Sequence, residues 1–518
     1  MDETRFEDAL IQLHPSDPLA IARRDLAAGT LIRMPDGSQL LTRDEVPSGH
    51  KLALRALAGG ETILRYGRNI GLARMAIQAG EHIHTHNLEP GEVGRERGWR
   101  VVQPEQPSPS GRTFLGFPRP NGRAGTRNYV AVISTVNCSA HTAARIARTF
   151  TPERLAEYPN VDGVVAVTHP GGCSIPQGGL SQAYLRRSLL NLARHPNIAA
   201  AVYIGLGCEV NQIDECSPPF EAKDFERLSG AGRAAGSRLV IQELGGFEGT
   251  IRAGIEAVER LLPVVNANPR VPVPLSNLCL GLECGGSDSW SGVTANPLTG
   301  LISDILVREG GTAVLSETPE IFGAERILLD RVVSDEVGRK LLERFAWWVQ
   351  QAERFGFEID NNPTPGNKRG GLTTILEKSL GAAVKGGSAP LMAVYEYAEA
   401  IEAKGFVFMD TPGNDPVSLT GMLAGGCNIS LFTTGRGTPV GTNLAPTIKI
   451  ASNSQTGLRL SDIIDYNAGR LLEGLGGNEA SRELMDLLVE TASGRQTRAE
   501  MHGLPESEFV PWQPDHIL

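Results

Sequence analysis

At Tyr203–Asn211 the chain reads YIGLGCEVN. An apolar run of strand length stops at Gly-Leu-Gly, and a thiol and a carboxylate follow at once, Cys208 and Glu209. Three other runs end in the same way: YVAVISTVNC at Cys138, VVAVTHPGGC at Cys173 and LCLGLECGG at Cys284. Helix-like stretches separate such runs, AHTAARIARTF after the first and LSQAYLRRSLLNLARH after the second. Strand-helix alternation of this kind predicts a parallel α/β architecture. Short, continuously apolar strands are those covered on both faces.

Ligands of open parallel sheets bind beyond the carboxyl ends of the strands. The four runs are therefore expected to bring Cys138, Cys173, Cys208 and Cys284 to one rim. His169 and Glu209 stand at two of the same strand ends. Such a set suits iron, held either as mononuclear Fe(II) or as a cluster. The alternative is structural, because free cysteine is among the most buried residue types and fills crowded strand ends. Cys216, Cys279 and Cys427 lie elsewhere in their segments and read as core.

Outward from these runs, residues 9–90 are dense in short apolar segments punctuated by Gly, Pro and Asp, which predicts a small β-rich module. A polar, Pro-rich stretch containing RVVQPEQPSPSGRTF predicts a stiff linker over 91–113. The α/β texture begins near Phe114, and the NANPRVPVP stretch after a long helix suggests a division near Asn268. This gives a second α/β domain over 114–267 and a larger parallel-sheet domain over 268–518.

A chain of 518 residues with 41% hydrophobic residues builds several cores. Its 60 glycines are well above the usual ~7% and suit tight turns and backbone approaching a small ligand. A formal charge of -10 argues against a nucleic-acid surface. The acidic N-terminus MDETRFEDAL is unlike a secretory signal, and no stretch approaches the ~18 apolar residues of a membrane span. Seven scattered cysteines without a CxxC pair predict a reducing, cytoplasmic setting with thiols free for metal or catalysis.

Polar loops follow several strands. CGGSDSWSGVTANPLTG (Cys284–Gly300) offers Ser287, Asp288 and Asn296; FTTGRGTPVG (Phe432–Gly441) offers Thr434 and Arg436; NPTPGNKRGG (Asn362–Gly371) offers Asn367 and Lys368; PTIKIA offers Lys449. Amides plus a guanidinium grip carboxylates, so these loops together predict an anion-accepting pocket for a polyhydroxylated molecule. A Rossmann cofactor site is disfavoured, because GLGCEV lacks the third glycine of its fingerprint. HIHTHN places His82, His84 and His86 at alternate positions, one face if the segment is a strand. They are candidates for a metal site or proton transfer.

GFPRPNGRAGTRNYV, IGLGCE, CGGSDSWSGVTANP, NPTPGNKRGG and FTTGRGTP resemble, in the same order over nearly the whole chain, the altronate/galactarate dehydratase family. The resemblance implies an N-terminal SAF-type β-clip module, a linker, a second domain and a large Rossmann-like C-terminal domain. It implies an Fe(II)-dependent dehydratase of sugar acids, with Mn(II) or another divalent ion as a substitute and an iron–sulfur cluster left open. GEHIHTHN and ETPEIFGAE resemble the altronate branch, so the implied reaction turns D-altronate into 2-keto-3-deoxy-D-gluconate and water; Gly171 stands where altronate members carry Tyr. A homodimer through the second domain is also implied. On this reading Cys138, His169, Cys173, Cys208, Glu209 and Cys284 form the ligand pool. Ser287, Asn296, Asn367, Lys368, Thr434 and Arg436 hold substrate, and His84, His86, Lys449 and Asp288 are catalytic candidates. The alternatives are galactarate or another aldonate or aldarate as substrate, a sulfolactate-cleaving relative, an electron-transfer cluster, and a sugar-acid-binding protein without catalysis.

Overall fold

The computed structural model describes residues 3–91, 98–219, 235–504 and 509–515; residues 92–97 of the expected linker lie outside them. The N-terminal module is built from short strands in three small sheets. Four turns of like design organise it, with Gly29, Gly49, Gly60 and Gly80 all at φ between 81° and 85°, a left-handed backbone that a side chain would resist. Leu26 bridges Val46 and Leu57 bridges Ile77 across pairs of these turns. Its core residues Leu19, Ile21, Ile63, Ile70 and Ile83 belong to the same buried cluster as Leu280, Leu282 and Leu298 of the C-terminal part. The module is thus packed as an integral layer, not tethered at a distance.

Beyond it the chain runs as a strap. Arg100, Val102 and Ser108 donate backbone N–H groups to the carbonyls of Leu329, Val332 and Arg308. Strand Thr113–Pro118 then pairs antiparallel with Val271–Pro274, stitching the start of the second domain to the start of the third.

Strands of the two larger sheets are numbered here in chain order. The first sheet holds β1 (Tyr129–Ser134), β2 (Gly163–Val167), β3 (Ile198–Gly205) and β4 (Ala235–Val240). All are parallel, in the order β2-β1-β3-β4. Helix α1 (Leu180–Leu192) lies on one face and α2 (Phe247–Asn266) on the other. The α1 face is completed by Leu423, Leu444, Ala445 and Phe509 from the C-terminal part, so the two domains share a core.

The second sheet has seven parallel strands: β5 (Cys279–Cys284), β6 (Thr312–Leu315), β7 (Leu391–Tyr395), β8 (Gly405–Met409), β9 (Ile429–Thr434), β10 (Thr447–Ala451) and β11 (Tyr466–Asn467). Their order is β7-β8-β6-β5-β9-β10-β11. Helices α3 (Ala295–Arg308), α4 (Ile375–Ala383) and α5 (Asp415–Gly425) pack around it. The direction of winding reverses at β5, between β6 and β9, and that is where an open sheet forms a crevice for ligands. Among the described residues no helix is long and apolar enough to cross a membrane.

The four expected thiols are divided between these sheets. Cys138, Cys173 and Cys208 follow β1, β2 and β3 and are exposed, whereas Cys284 ends β5 and is buried. One common rim for all four is therefore corrected to two. The reason is topological: strand ends alike in sequence were assigned to one sheet, and the chain builds two.

Candidate active site

Three strands aim acidic residues at the β5 crevice. β5 ends in Glu283 and Cys284. The turn after β6 carries Glu317 and Glu320, and Glu317 is held in the left-handed region at φ 65°, a strained setting for a non-glycine residue. Asp415, from the loop after β8, opens α5. The ligand atoms of Cys284, Glu317 and Glu320 lie within 4.8 Å of one another, as do those of Glu283, Glu317 and Asp415. Cys284 Sγ is 3.4 Å from Glu317 and 3.7 Å from Glu320.

Two buried lysines oppose them. Lys378 of α4 donates to Glu320 at 2.7 Å and to Asn362 at 2.7 Å, and Lys385, just beyond α4, donates to Glu317 at 2.8 Å. If all ionise, four carboxylates (Glu283, Glu317, Glu320, Asp415) face two ammonium groups, leaving two negative charges in excess. Burial, then the Glu317 charge, drives Glu283 well above the usual carboxylate range. Burial followed by Glu317 and Glu320 raises Asp415 to about 8. Burial also pushes on Glu317, but Lys385 outweighs it and holds this group low. Burial raises the Cys284 thiol far above its ordinary value, aided by Glu317. The excess charge is thus relieved by a proton on Asp415 at neutral pH and by the upward push on Glu283.

A divalent cation would cancel it equally well. With Glu283 ionised, Glu283 Oε1 and Glu317 Oε1 are buried and lack any hydrogen-bond partner among the described residues, whereas a proton on Glu283 bridges the two carboxyls. Orphaned oxygens of this kind are what a cation takes up. The three carboxylates suit a hard ion such as Mg²⁺, Mn²⁺ or Fe²⁺, and Cys284 adds a softer donor at one side. The residues fit a divalent ion.

The N-terminal module closes over the neighbouring segment Asn362–Gly371. His84 Nε2 meets the Lys368 carbonyl at 2.9 Å and His50 Nε2 the Arg369 carbonyl at 3.3 Å, so both of these nitrogens carry the proton. His50 Nδ1 lies 3.0 Å from His82 Nε2. His86 stacks at the edge, its ring centroid 5.7 Å from that of His82. Burial and mutual repulsion depress His82 to about 3, and burial takes His84 to about 4, so both are neutral imidazoles. The alternate-residue expectation is corrected in its cause: only His82 and Ile83 are strand, and a turn brings the other two rings round.

Deeper, Glu377 of α4 accepts Lys51 Nζ at 2.9 and 3.0 Å and also Arg65 Nη1, all wholly buried. Arg65 continues to Ser289 Oγ at 2.9 Å and Ser289 O at 2.7 Å. Burial raises the cost of the Glu377 charge, but two cations hold it down to about 2. Lys51, which shares that one carboxylate with Arg65, is instead depressed by burial to about 8. The two partners read oppositely because a single anion serves two buried cations. Glu377 and Lys378 are neighbours, so one helix couples module docking to the acidic crevice.

The remaining sequence candidates divide clearly. Asp288 is fully engaged: Oδ1 accepts from Ser291 N (2.8 Å), Ser291 Oγ (2.9 Å) and Ser452 Oγ (2.7 Å), and Oδ2 from Asn453 (2.9 Å). It fastens loops together. Asn296 bridges Gly381 O and Thr433 Oγ1, and Asn367 donates to the Ser287 carbonyl. Thr434 accepts from Gly437 N and so shapes the turn that presents Arg436. Lys449 is wholly buried within β10. Arg436 is exposed beside Gly286, and Lys368 is half-buried. In the second domain, His169 and Glu209 are buried and spent on backbone. His169 Nε2 donates to Ser134 O (3.0 Å) and Nδ1 accepts from Gly171 N (3.2 Å). Glu209 accepts from the N–H groups of Leu206 (3.1 Å) and Gly207 (2.6 Å) and from Thr135 Oγ1 (3.0 Å).

Comparisons with known proteins agree along the whole length. Three family models match in succession: the altronate/galactarate dehydratase SAF domain over 8–91, the D-galactarate dehydratase/altronate hydrolase second domain over 116–266, and the D-galactarate/altronate dehydratase C-terminal domain over 275–517. They define the class, a hydro-lyase of the altronate dehydratase kind. The chain is 36% identical to an altronate dehydratase of Bacillus subtilis (strain 168), over 96% of this chain and 98% of that one. It is 37% identical to an altronate dehydratase of Escherichia coli (strain K12), over 96% and 97%. A galactarate dehydratase (L-threo-forming) of Escherichia coli (strain K12) is 34% identical over 95% of each. The chain belongs to the altronate/galactarate dehydratase family.

Proposed function

We propose that this protein dehydrates D-altronate to 2-keto-3-deoxy-D-gluconate, using Fe(II) held by Glu283, Glu317, Asp415 and Cys284. The observation that carries the reading is the pair of orphaned carboxylate oxygens on Glu283 and Glu317, buried where the winding of the sheet reverses. Both altronate dehydratases among the relatives support the choice of substrate.

The reaction removes a proton from the carbon beside a carboxylate and expels the hydroxyl of the next carbon. A bound divalent ion supplies Lewis-acid stabilisation of the charge that builds on the carboxylate. Arg436 and Lys368 orient the acid by charge-assisted hydrogen bonds. Lys385 helps hold Glu317 ionised, Lys378 opposes the upward push of burial on Glu320, and the two lysines fix the directions of both carboxylates. His84 is committed through Nε2 to the Lys368 carbonyl, so His86, at the open edge of the imidazole stack, exchanges the proton. The stack of His50, His82 and His84 positions it. The family resemblance supports a homodimer, which analytical ultracentrifugation tests.

The experiment is a panel of C5 and C6 aldonates and aldarates, assayed anaerobically with Fe(II) for 2-keto acid formation. D-altronate is expected to give the highest kcat/KM. A higher value for galactarate would move the assignment to the other branch, and tight binding without keto acid would remove the enzyme reading.

A further inference from the structure

The three thiols on the second domain lie outside the site just described. We infer that Cys138, Cys173 and Cys208 form a binding site for a 4Fe–4S cluster. They follow β1, β2 and β3, adjacent parallel strands in the order β2-β1-β3. Winding reverses at β1, so this edge is the ligand crevice of its own sheet. Neighbouring strands lie about 4.8 Å apart, which brings the three loops side by side.

Buried polar groups tie these loops to one another while the thiols point outward. Asn137 N donates to Gly171 O at 2.9 Å, and Asn211 N donates to Gly172 O at 3.2 Å. Asn211 Nδ2 reaches Thr135 O at 3.0 Å. His169 clamps the β1 end to the loop of Cys173, and Glu209 caps the loop of Cys208. Gly172, at φ 99°, sits so close that a Cβ there would lie 2.6 Å from Thr135 O. Each of these braces stands within four residues of a cysteine. The usual preference is thereby inverted, since free cysteine is normally buried and its polar neighbours exposed. Here Cys138, Cys173 and Cys208 are exposed over a rigid polar frame. Gln242 Nε2, 3.4 Å from Cys208 Sγ, is placed as an amide donor to a thiolate.

The donor set selects the group: three soft thiols stand here, while the neighbouring His169 and Glu209 are already engaged by the loops. A single tetrahedral zinc would hold its sulfurs about 3.8 Å apart, given a Zn–S bond near 2.3 Å. A cluster places each thiolate on a different iron and spreads them wider. On binding, the three thiols lose their protons. Three thiolates serve three irons and leave the fourth open to water or to an oxygen ligand. This inference does not depend on the substrate or on the acidic crevice.

The test is anaerobic reconstitution of the full-length protein with ferrous iron, sulfide and a thiol reductant, without substrate. About four sulfides per chain are expected, with four irons beyond the one ion of the acidic crevice, a broad visible charge-transfer band and an electron paramagnetic resonance signal on reduction. Cys138→Ser, Cys173→Ser and Cys208→Ser should each lose the chromophore, while Cys279→Ser, on the other sheet, keeps it. In the unaltered protein, alkylation mapped by mass spectrometry should modify the three thiols before reconstitution and spare them afterwards. A chromophore and sulfide content unchanged in all three serine variants, or equal alkylation of all three thiols in both states, would overturn the proposal.

Discussion

Glu377→Gln is the substitution whose cost can be worked from the structure. It keeps the volume and removes the one carboxylate that, among the described residues, forms ion pairs with Lys51 and Arg65, both wholly buried. Breaking one partner out of a buried ion pair costs about 3–5 kcal/mol, because a charge is left without compensation. Lys51 has an escape, since it is already depressed to about 8 and can shed its proton. Neutralising a lysine from its ordinary value near 10.4 down to pH 7 costs about 4–5 kcal/mol, so the loss is capped in the same range. Arg65 cannot neutralise, but it keeps its two bonds to Ser289. At roughly 2–4 °C per kcal/mol for a domain of this size, the first thermal transition should fall by about 10 °C. Scanning calorimetry reads this, taking the first transition because a multidomain chain does not melt in two states. Adding Lys51→Met should recover part of the loss. In the unaltered protein the Glu377 contribution is complete above its ordinary 4.5 and is lost as pH falls toward 2; the variant should lack that acid limb. A first transition moved by less than about 1 °C would refute the docking lock.

Other outcomes follow from the same geometry. Arg436→Ala should raise KM about 10- to 100-fold with a smaller effect on kcat, as steady-state kinetics would show, through loss of a charge-assisted contact. His86→Ala should lower kcat by about 10²–10⁴-fold, and His84→Ala by less, with the same assay deciding whether the outer imidazole moves the proton. Asp415 is raised to about 8, above its unfolded range near 3.8, so its contribution to stability is full below that range and is lost as pH rises through 8. Metal-free protein should therefore melt lower at pH 9 than at pH 6, and Asp415→Asn should flatten that slope.

Much of the scaffold could be read from the chain. Strand-length apolar runs such as AAVYIGLG and NISLFTTG alternate with helical stretches, and this period survives in both parallel sheets. What the runs could not reveal was their partition, because β1, β3 and β5 look alike while pairing is decided by long-range topology. That is why Cys284 was grouped with thiols of a different sheet. The acidic crevice was missed for a related reason. Attention to sulfur passed over Glu317 and Asp415, although each stands just past a β-strand, where parallel sheets collect function. Lys378 and Lys385, seven residues apart about α4, gave the spacing of a shared helical face. His50 lay thirty-two residues from His82, and nothing local linked them. Conversely, Asp288, Asn296 and Thr434 were chosen for their polar chemistry, which the fold spends on joining loops.

The most direct test of the acidic crevice is calorimetric titration of chelator-stripped protein with Mn(II), a hard ion with little affinity for thiol sites, in two buffers of different ionisation enthalpy. One ion is expected to bind with release of about one to two protons, those held by Glu283 and Asp415. Affinity should collapse in Glu283→Gln and in Glu317→Gln and persist in Cys138→Ser. Undiminished binding in both glutamine variants, or binding without proton release, would contradict the account.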